Sequence, residues 1–93
     1  MTFERLKRYK TLKLMLLHPE ELPPEQKELF QAECEKIENY IKAIDDIEIK
    51  FIAEKYFLEN KTFEQIGRVM NYDRRTVSRK LECWLKVAHN ARK

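Results

Sequence analysis

The sequence predicts an all-α fold, and three observations carry that prediction. Apolar residues recur at three- and four-residue spacing through most of the chain, as in Phe30, Cys34, Ile37 and Ile41, which is the period of an amphipathic helix. Capping side chains stand where such stripes begin, at Asp45 and Asp46, at Thr62 and at Asp73; their oxygens accept the orphan amides of a helix start. One glycine, three prolines and few alternating apolar and polar runs leave little from which to build a sheet. Ninety-three residues, 43% apolar and 38% charged, suit one small unit with a modest core. Within it we separate an N-terminal helical support or oligomerisation region, residues 1–43, from a C-terminal module, residues 44–93.

The first helix is expected in FERLKRYKTLKLMLLHP, where Phe3, Leu6, Tyr9 and Leu12 lead into a leucine-rich end that stops at Pro19. Its Arg5, Lys7, Arg8, Lys10 and Lys13 suit phosphates or an acidic surface. A basic amphipathic stretch also suits a membrane surface, but we expect no membrane partner: the leucine-rich end is better matched to the core or to a second subunit. HPEELPPE is the linker, with Pro24 placed for a first helical turn. The second helix, about Glu25 to Ala43, carries Phe30, Cys34, Ile37, Tyr40, Ile41 and Ile44 on one stripe. Phe30, Ile37 and Ile44 stand in heptad relation and permit a coiled-coil seam; Cys34 reads as a buried apolar group. After Asp45 and Asp46 a third helix presents Ile47, Phe51, Ile52, Tyr56 and Phe57. Tyr56 and Phe57 are expected against Ile66 and Trp84, closing a three-helix core.

Thr62 and Gln65 form a capping box, so a fourth, short helix begins near Phe63 and runs through Ile66, Gly67 and Met70. Asn71 tolerates the left-handed conformation of a turn. Asp73 caps a fifth helix with Val77, Leu81, Trp84, Leu85 and Ala88 on one stripe. Gly67 costs a helix about 1 kcal/mol relative to alanine, and a close crossing of two helices offsets that. Gly67, Asn71 and Val77 occupy the small, turn and inward apolar positions of a helix-turn-helix.

At about 100° per residue, the face opposite the apolar stripe of the fifth helix holds Arg75, Arg79, Glu82 and Lys86, flanked by Thr76 and Ser78. Arg74 and Arg75 lie in its first turn, where positive charge opposes the helix dipole and suggests an anionic partner. Double-stranded DNA is that partner in our reading. Arg75, Ser78 and Arg79 are expected at base edges in the major groove, with Thr62, Arg74, Thr76, Lys80 and Lys86 on phosphates.

EKYFLENKTFEQIGRVMNYDRRTVSRKLECWL has an aromatic pair before the turn, a threonine-aromatic-glutamate start and an arginine-threonine-valine-serine-arginine helix. From about Ile44 to Ala88 the chain thereby resembles the fourth conserved region of bacterial sigma factors, which reads a promoter element. From about Glu33 onward, with its ENYIKAI helix, it resembles small phage-encoded transcriptional regulators of the ArpU and RinA type. That resemblance implies a sigma region 4-like module and control of late phage or prophage genes in the bacterial cytoplasm; RNA polymerase stays a candidate partner. Two departures are notable: Gly67 replaces the commoner alanine, a change expected to be benign, and Asp73 stands where serine or threonine is usual.

Charge sharpens the picture. The net charge is +3, but residues 1–17 hold five basic and one acidic side chain, residues 18–59 five and twelve, and residues 60–93 nine and three. The basic end is concentrated on the module expected to meet DNA, and the acidic middle should face away. Cys34 and Cys83 lack metal-ligand spacing, and His18 and His89 sit beside no nucleophile or acid at catalytic spacing. We therefore expect no enzyme, no metal and no cofactor. A dimer is favoured, since two recognition helices then meet successive turns of DNA. Two other readings differ in purpose: the DNA-recognition subunit of a phage terminase, assembled as a ring, and a helical interaction module whose basic helix binds an acidic protein surface.

Overall fold

Helices follow the capping residues along the chain. The computed structural model describes residues 2–90, except for the side chains of Pro19, His89 and Asn90. Helix α1 spans Phe3–Leu16, α2 Pro24–Lys42, α3 Ile47–Ala53, α4 Phe63–Met70 and α5 Arg74–Asn90, and a 3₁₀ turn occupies Pro19–Glu21 in the linker. No strand occurs among the described residues, so the fold is all-α. No helix among them is long and apolar enough to cross a membrane.

Each start has a local cause. Thr2 accepts the Arg5 amide at 3.2 Å, Pro24 opens α2 where its missing N–H costs nothing, and Asp46 accepts the Ile49 amide at 3.0 Å. Helix α3 does not end at Ala53. It widens into a π-helical turn over Glu54–Leu58, in which the Glu59 N–H reaches back five residues to the Glu54 carbonyl at 3.1 Å. The chain leaves this turn through Asn60 at φ 60°, a left-handed conformation that asparagine tolerates.

One hydrophobic cluster runs through all five helices. Leu6 of α1, Ile37 of α2, Ile52 of α3, Ile66 of α4 and Leu81 of α5 are each at most 2% exposed. The slab they fill measures 43 × 33 × 17 Å, about two helices thick given axial spacings of ~8–10 Å. Arg5 and Glu33 tie α1 to α2 with a two-point ion pair at 2.8 and 3.2 Å. The Tyr9 hydroxyl donates to the Glu38 carboxylate beside it. Burial, then that carboxylate, raises the Tyr9 phenol above its ordinary value.

Three expectations need correction. Ile47 is 85% exposed, because the first residue after the Asp46 cap points outward; Ile49, Ile52, Ala53 and Phe57 form the buried face instead. Phe57 and Ile66 do share the buried cluster, but Trp84 pairs edge-on with Tyr40 of α2 at 6.5 Å, while Tyr56 stacks on Phe63 and both Tyr56 and Phe57 meet Phe3 of α1. The core thus draws on five helices, not three. The heptad positions Ile37 and Ile44 are 0% and 7% exposed, so the chain's own core occupies that seam.

Candidate nucleic-acid interface

The turn between α4 and α5 is built from four adjoining interactions. Thr62 accepts the Gln65 amide at 3.1 Å and the Gln65 side chain accepts the Thr62 amide at 2.9 Å, which fixes the start of α4. Asn71, at φ 65°, closes the helix in the left-handed region. The Tyr72 amide then donates to the Gly67 carbonyl at 2.9 Å. Asp73 accepts the Thr76 amide at 2.7 Å and opens α5. That hydrogen bond, with Arg75 nearby, holds the Asp73 carboxyl below the usual carboxylate range.

Gly67 is more than tolerated here. A Cβ at this position would overlap the Tyr72 carbonyl oxygen and lie 3.3 Å from its carbon. Backbone meets backbone at the crossing, so alanine is not the benign equivalent expected from the sequence. Tyr72 is anchored in turn: its hydroxyl donates to Glu48 of α3 at 2.7 Å, and the Lys80 ammonium sits over its ring at 5.1 Å.

Helix α5 is steered by its buried side. Val77 and Leu81 are fully buried and Leu85 nearly so, which turns Arg75, Arg79, Glu82 and Lys86 to solvent. Arg74, Arg75, Ser78, Arg79 and Lys86 share one open concavity of about 490 Å³, walled at one side by Phe63. Among the described residues, none of Arg74, Arg75, Arg79 and Lys86 enters an ion pair. Cations elsewhere are often matched within the chain, such as Arg68 with Glu64 at 2.9 Å and Lys55 with Glu59 at 3.0 Å.

Protein-family models, curated proteins and solved structures give no match to this chain.

Chemically, the concavity offers planar guanidinium forks and an ammonium around an open basin, with Ser78 as a small donor. Glu82 is its one carboxylate and accepts weakly from the Ser78 hydroxyl at 3.4 Å. Such a surface suits phosphate oxygens and the acceptor edge of a purine.

Of the eight residues singled out in the sequence, five line this basin and three lie apart from it. Thr62 caps α4 with its oxygen, keeping the hydroxyl proton to donate. Thr76 is half-buried on the flank. Lys80 turns toward α3, where its ammonium lies 3.5 Å from Glu48. Phe63 and Cys83 were not anticipated in the basin wall. The only signal for Phe63 was its position directly after the Thr62 cap.

Among the described residues no group of three or more His, Cys, Asp or Glu side chains is placed to hold a metal. Cys34 is 3% exposed, and burial raises its thiol above the ordinary value. The His89 side chain lies outside the described residues.

Proposed function

We propose that this chain is a sequence-specific double-stranded DNA-binding regulator of transcription, of the phage late-gene type, that lays α5 in the major groove. The observation that carries the reading is the outward face of α5, where Arg74, Arg75, Arg79 and Lys86 stand outside any ion pair among the described residues, beyond a turn held by Gly67 and Tyr72. Unpaired arginines in the first turn are unfavourable to the helix itself, and phosphate or guanine edges would relieve them. In this reading Arg75, Ser78 and Arg79 meet base edges, while Arg74 and Lys86 grip phosphates and Thr62 adds a hydroxyl from the start of α4. The basic concentration in residues 60–93 steers the duplex toward this face, and the acidic residues of 18–59 repel it from the middle of the chain.

Fluorescence anisotropy of the purified chain against duplex fragments of its own genome, repeated over a salt series, tests the proposal. The expected result is selection of particular fragments, with log affinity falling linearly as log salt rises. No binding at low salt, where even non-specific attachment shows, would refute it and move the basic helix to a protein partner.

A further inference from the structure

We propose that the groove between α3 and α4 takes an acidic, apolar helical segment of a partner protein, a role independent of the reading of α5. Lys61 donates its amide to the Lys55 carbonyl at 2.8 Å, which brings the π turn after α3 against the start of α4. Between the two elements lies a concavity of about 250 Å³, lined by Phe51, Lys55, Lys61, Gln65, Ile66 and Val69. Phe51 is also a wall of a second concavity, of about 600 Å³, that reaches Ile47. Ile47, 85% exposed, and Val69, 73% exposed, thus each share a hollow with the half-buried Phe51. Both are β-branched, a type that solvent-facing helix positions do not favour, so a merely solvated face does not account for them. Val69 is two residues, about 200° around the helix, from Gly67, and the groove therefore opens on the side of α4 away from its crossing with α5.

Charge selects the occupant. Of the residues lining the groove, only Lys55 and Lys61 are charged. Lys61 is exposed and enters no ion pair among the described residues. The Lys55 ammonium lies over the Phe51 ring at 5.5 Å and pairs with Glu59 at 3.0 Å; such a solvent-facing pair contributes little by itself and leaves the cation able to meet a second carboxylate. Lys61 stands just before α4 begins, with Lys55 beside it, and Val69 lies on the last turn of that helix. The groove is therefore basic at one end and apolar along the rest. An amphipathic helix laid in it sets apolar side chains against Phe51, Ile66 and Val69, and carboxylates at Lys55 and Lys61. A free phosphate would use the lysines and leave the apolar length uncovered, and a basic segment would meet both lysines with like charge.

A displayed library of random peptides, selected on the full chain without DNA, supplies the probe; the enriched sequences are made as fluorescein-labelled peptides and titrated by anisotropy. The expected enrichment is of peptides that join apolar residues at helical spacing to aspartate or glutamate at one end. Val69→Glu and Lys61→Glu replace exposed side chains, so the far-UV circular dichroism stays that of the parent while peptide affinity falls by about tenfold or more. A peptide with lysine in place of each acid binds Lys61→Glu more tightly than it binds the parent. No enrichment, enriched peptides without carboxylates, or equal affinity for the parent and both variants would overturn the proposal. So would displacement of the peptide by duplex DNA, which would assign the lysines to phosphates, or a parent that self-associates only while Val69 is intact, which would assign the groove to a second copy. The titrations themselves need no DNA, so their failure leaves the reading of α5 untouched.

Discussion

Gly67→Ala is the substitution whose sign separates local propensity from tertiary contact. By propensity alone it should stabilise, since alanine gains about 1 kcal/mol over glycine in a helix interior. The crossing opposes it. The new Cβ would sit about 1 Å inside a normal C···O approach of ~3.3 Å to the Tyr72 carbonyl, and neither side yields cheaply. Residue 67 is fixed in α4 between a capping box and a left-handed Asn71, while Tyr72 is bonded to Glu48 and Asp73 caps α5. Relief therefore requires α5 to shift as a body, at the ~1–3 kcal/mol typical of overpacking or somewhat more. The net expectation is a loss of about 1 kcal/mol, or roughly 4–8 °C in Tm for a domain of this size. Thermal unfolding followed by circular dichroism reads this directly. Arg68→Ala, on the exposed side of the same helix, serves as control and should stay within about 0.5 kcal/mol. A Gly67→Ala chain that melts higher than the parent would refute the close approach of α4 to the turn. The same shift should tilt α5, so specific DNA affinity should fall more than non-specific affinity.

Other expectations follow from the same geometry. Arg75→Ala and Arg79→Ala should relax sequence discrimination by about 1–3 kcal/mol per lost base contact, read by competition between matched and mismatched duplexes. Lys86→Ala should weaken all duplexes alike and lower the salt slope by about one. Lys80→Ala should leave the slope nearly unchanged, because Glu48 already faces that ammonium; equal slopes for the two variants would show that Lys80 reaches phosphate after all. Ile49→Ala should cost about 2–5 kcal/mol in denaturant unfolding, whereas Ile47→Ala should cost about 0.5 kcal/mol at most, despite the same side chain two residues away. The folded-state pKa of Asp73 is depressed, so its ionised form adds stability above the ordinary carboxylate value, and that stability is lost as pH falls through the depressed one. Asp73→Asn keeps an oxygen for the Thr76 amide but does not titrate, and a Tm series on the acid side should therefore fall less steeply than in the parent.

Interactions within a few residues were legible in the sequence, and those across helices mostly were not. The Thr62–Gln65 box and the Asp73 cap each depend on a side chain and an amide three residues apart, and the left-handed Asn71 on the tolerance of its own side chain for that conformation. The outward face of α5 was equally legible, since Val77, Leu81 and Leu85 fix its phase. By contrast, Ile47 and Ile49 carry the same side chain two residues apart, and the packing of α3 against its neighbours leaves one 85% exposed and buries the other. The π turn at Glu54–Leu58 has no compositional mark: one widened hydrogen-bond ring redirects Tyr56 and Phe57 toward Phe3 and Phe63. Lys80 looked like any other cation on α5, and its withdrawal from the basin depends on Glu48, thirty-two residues earlier.

Stability and proposed function are linked through this architecture. Every helix places at least one side chain at 2% exposure or less into the same cluster, so the helix that would read DNA is packed on the core that the other helices share. Glu48 strengthens the link: one carboxylate on α3 receives the Tyr72 hydroxyl and faces Lys80, which ties the turn and α5 to the scaffold. In a dimer bound to DNA the two α5 helices would then be held at a separation set by the packed core. Spacing between half-sites becomes a property of this core, so duplexes with half-sites moved by a few base pairs should lose paired binding, although each half-site keeps its own contacts. A flexible connection between α5 and the rest of the chain would tolerate such changes.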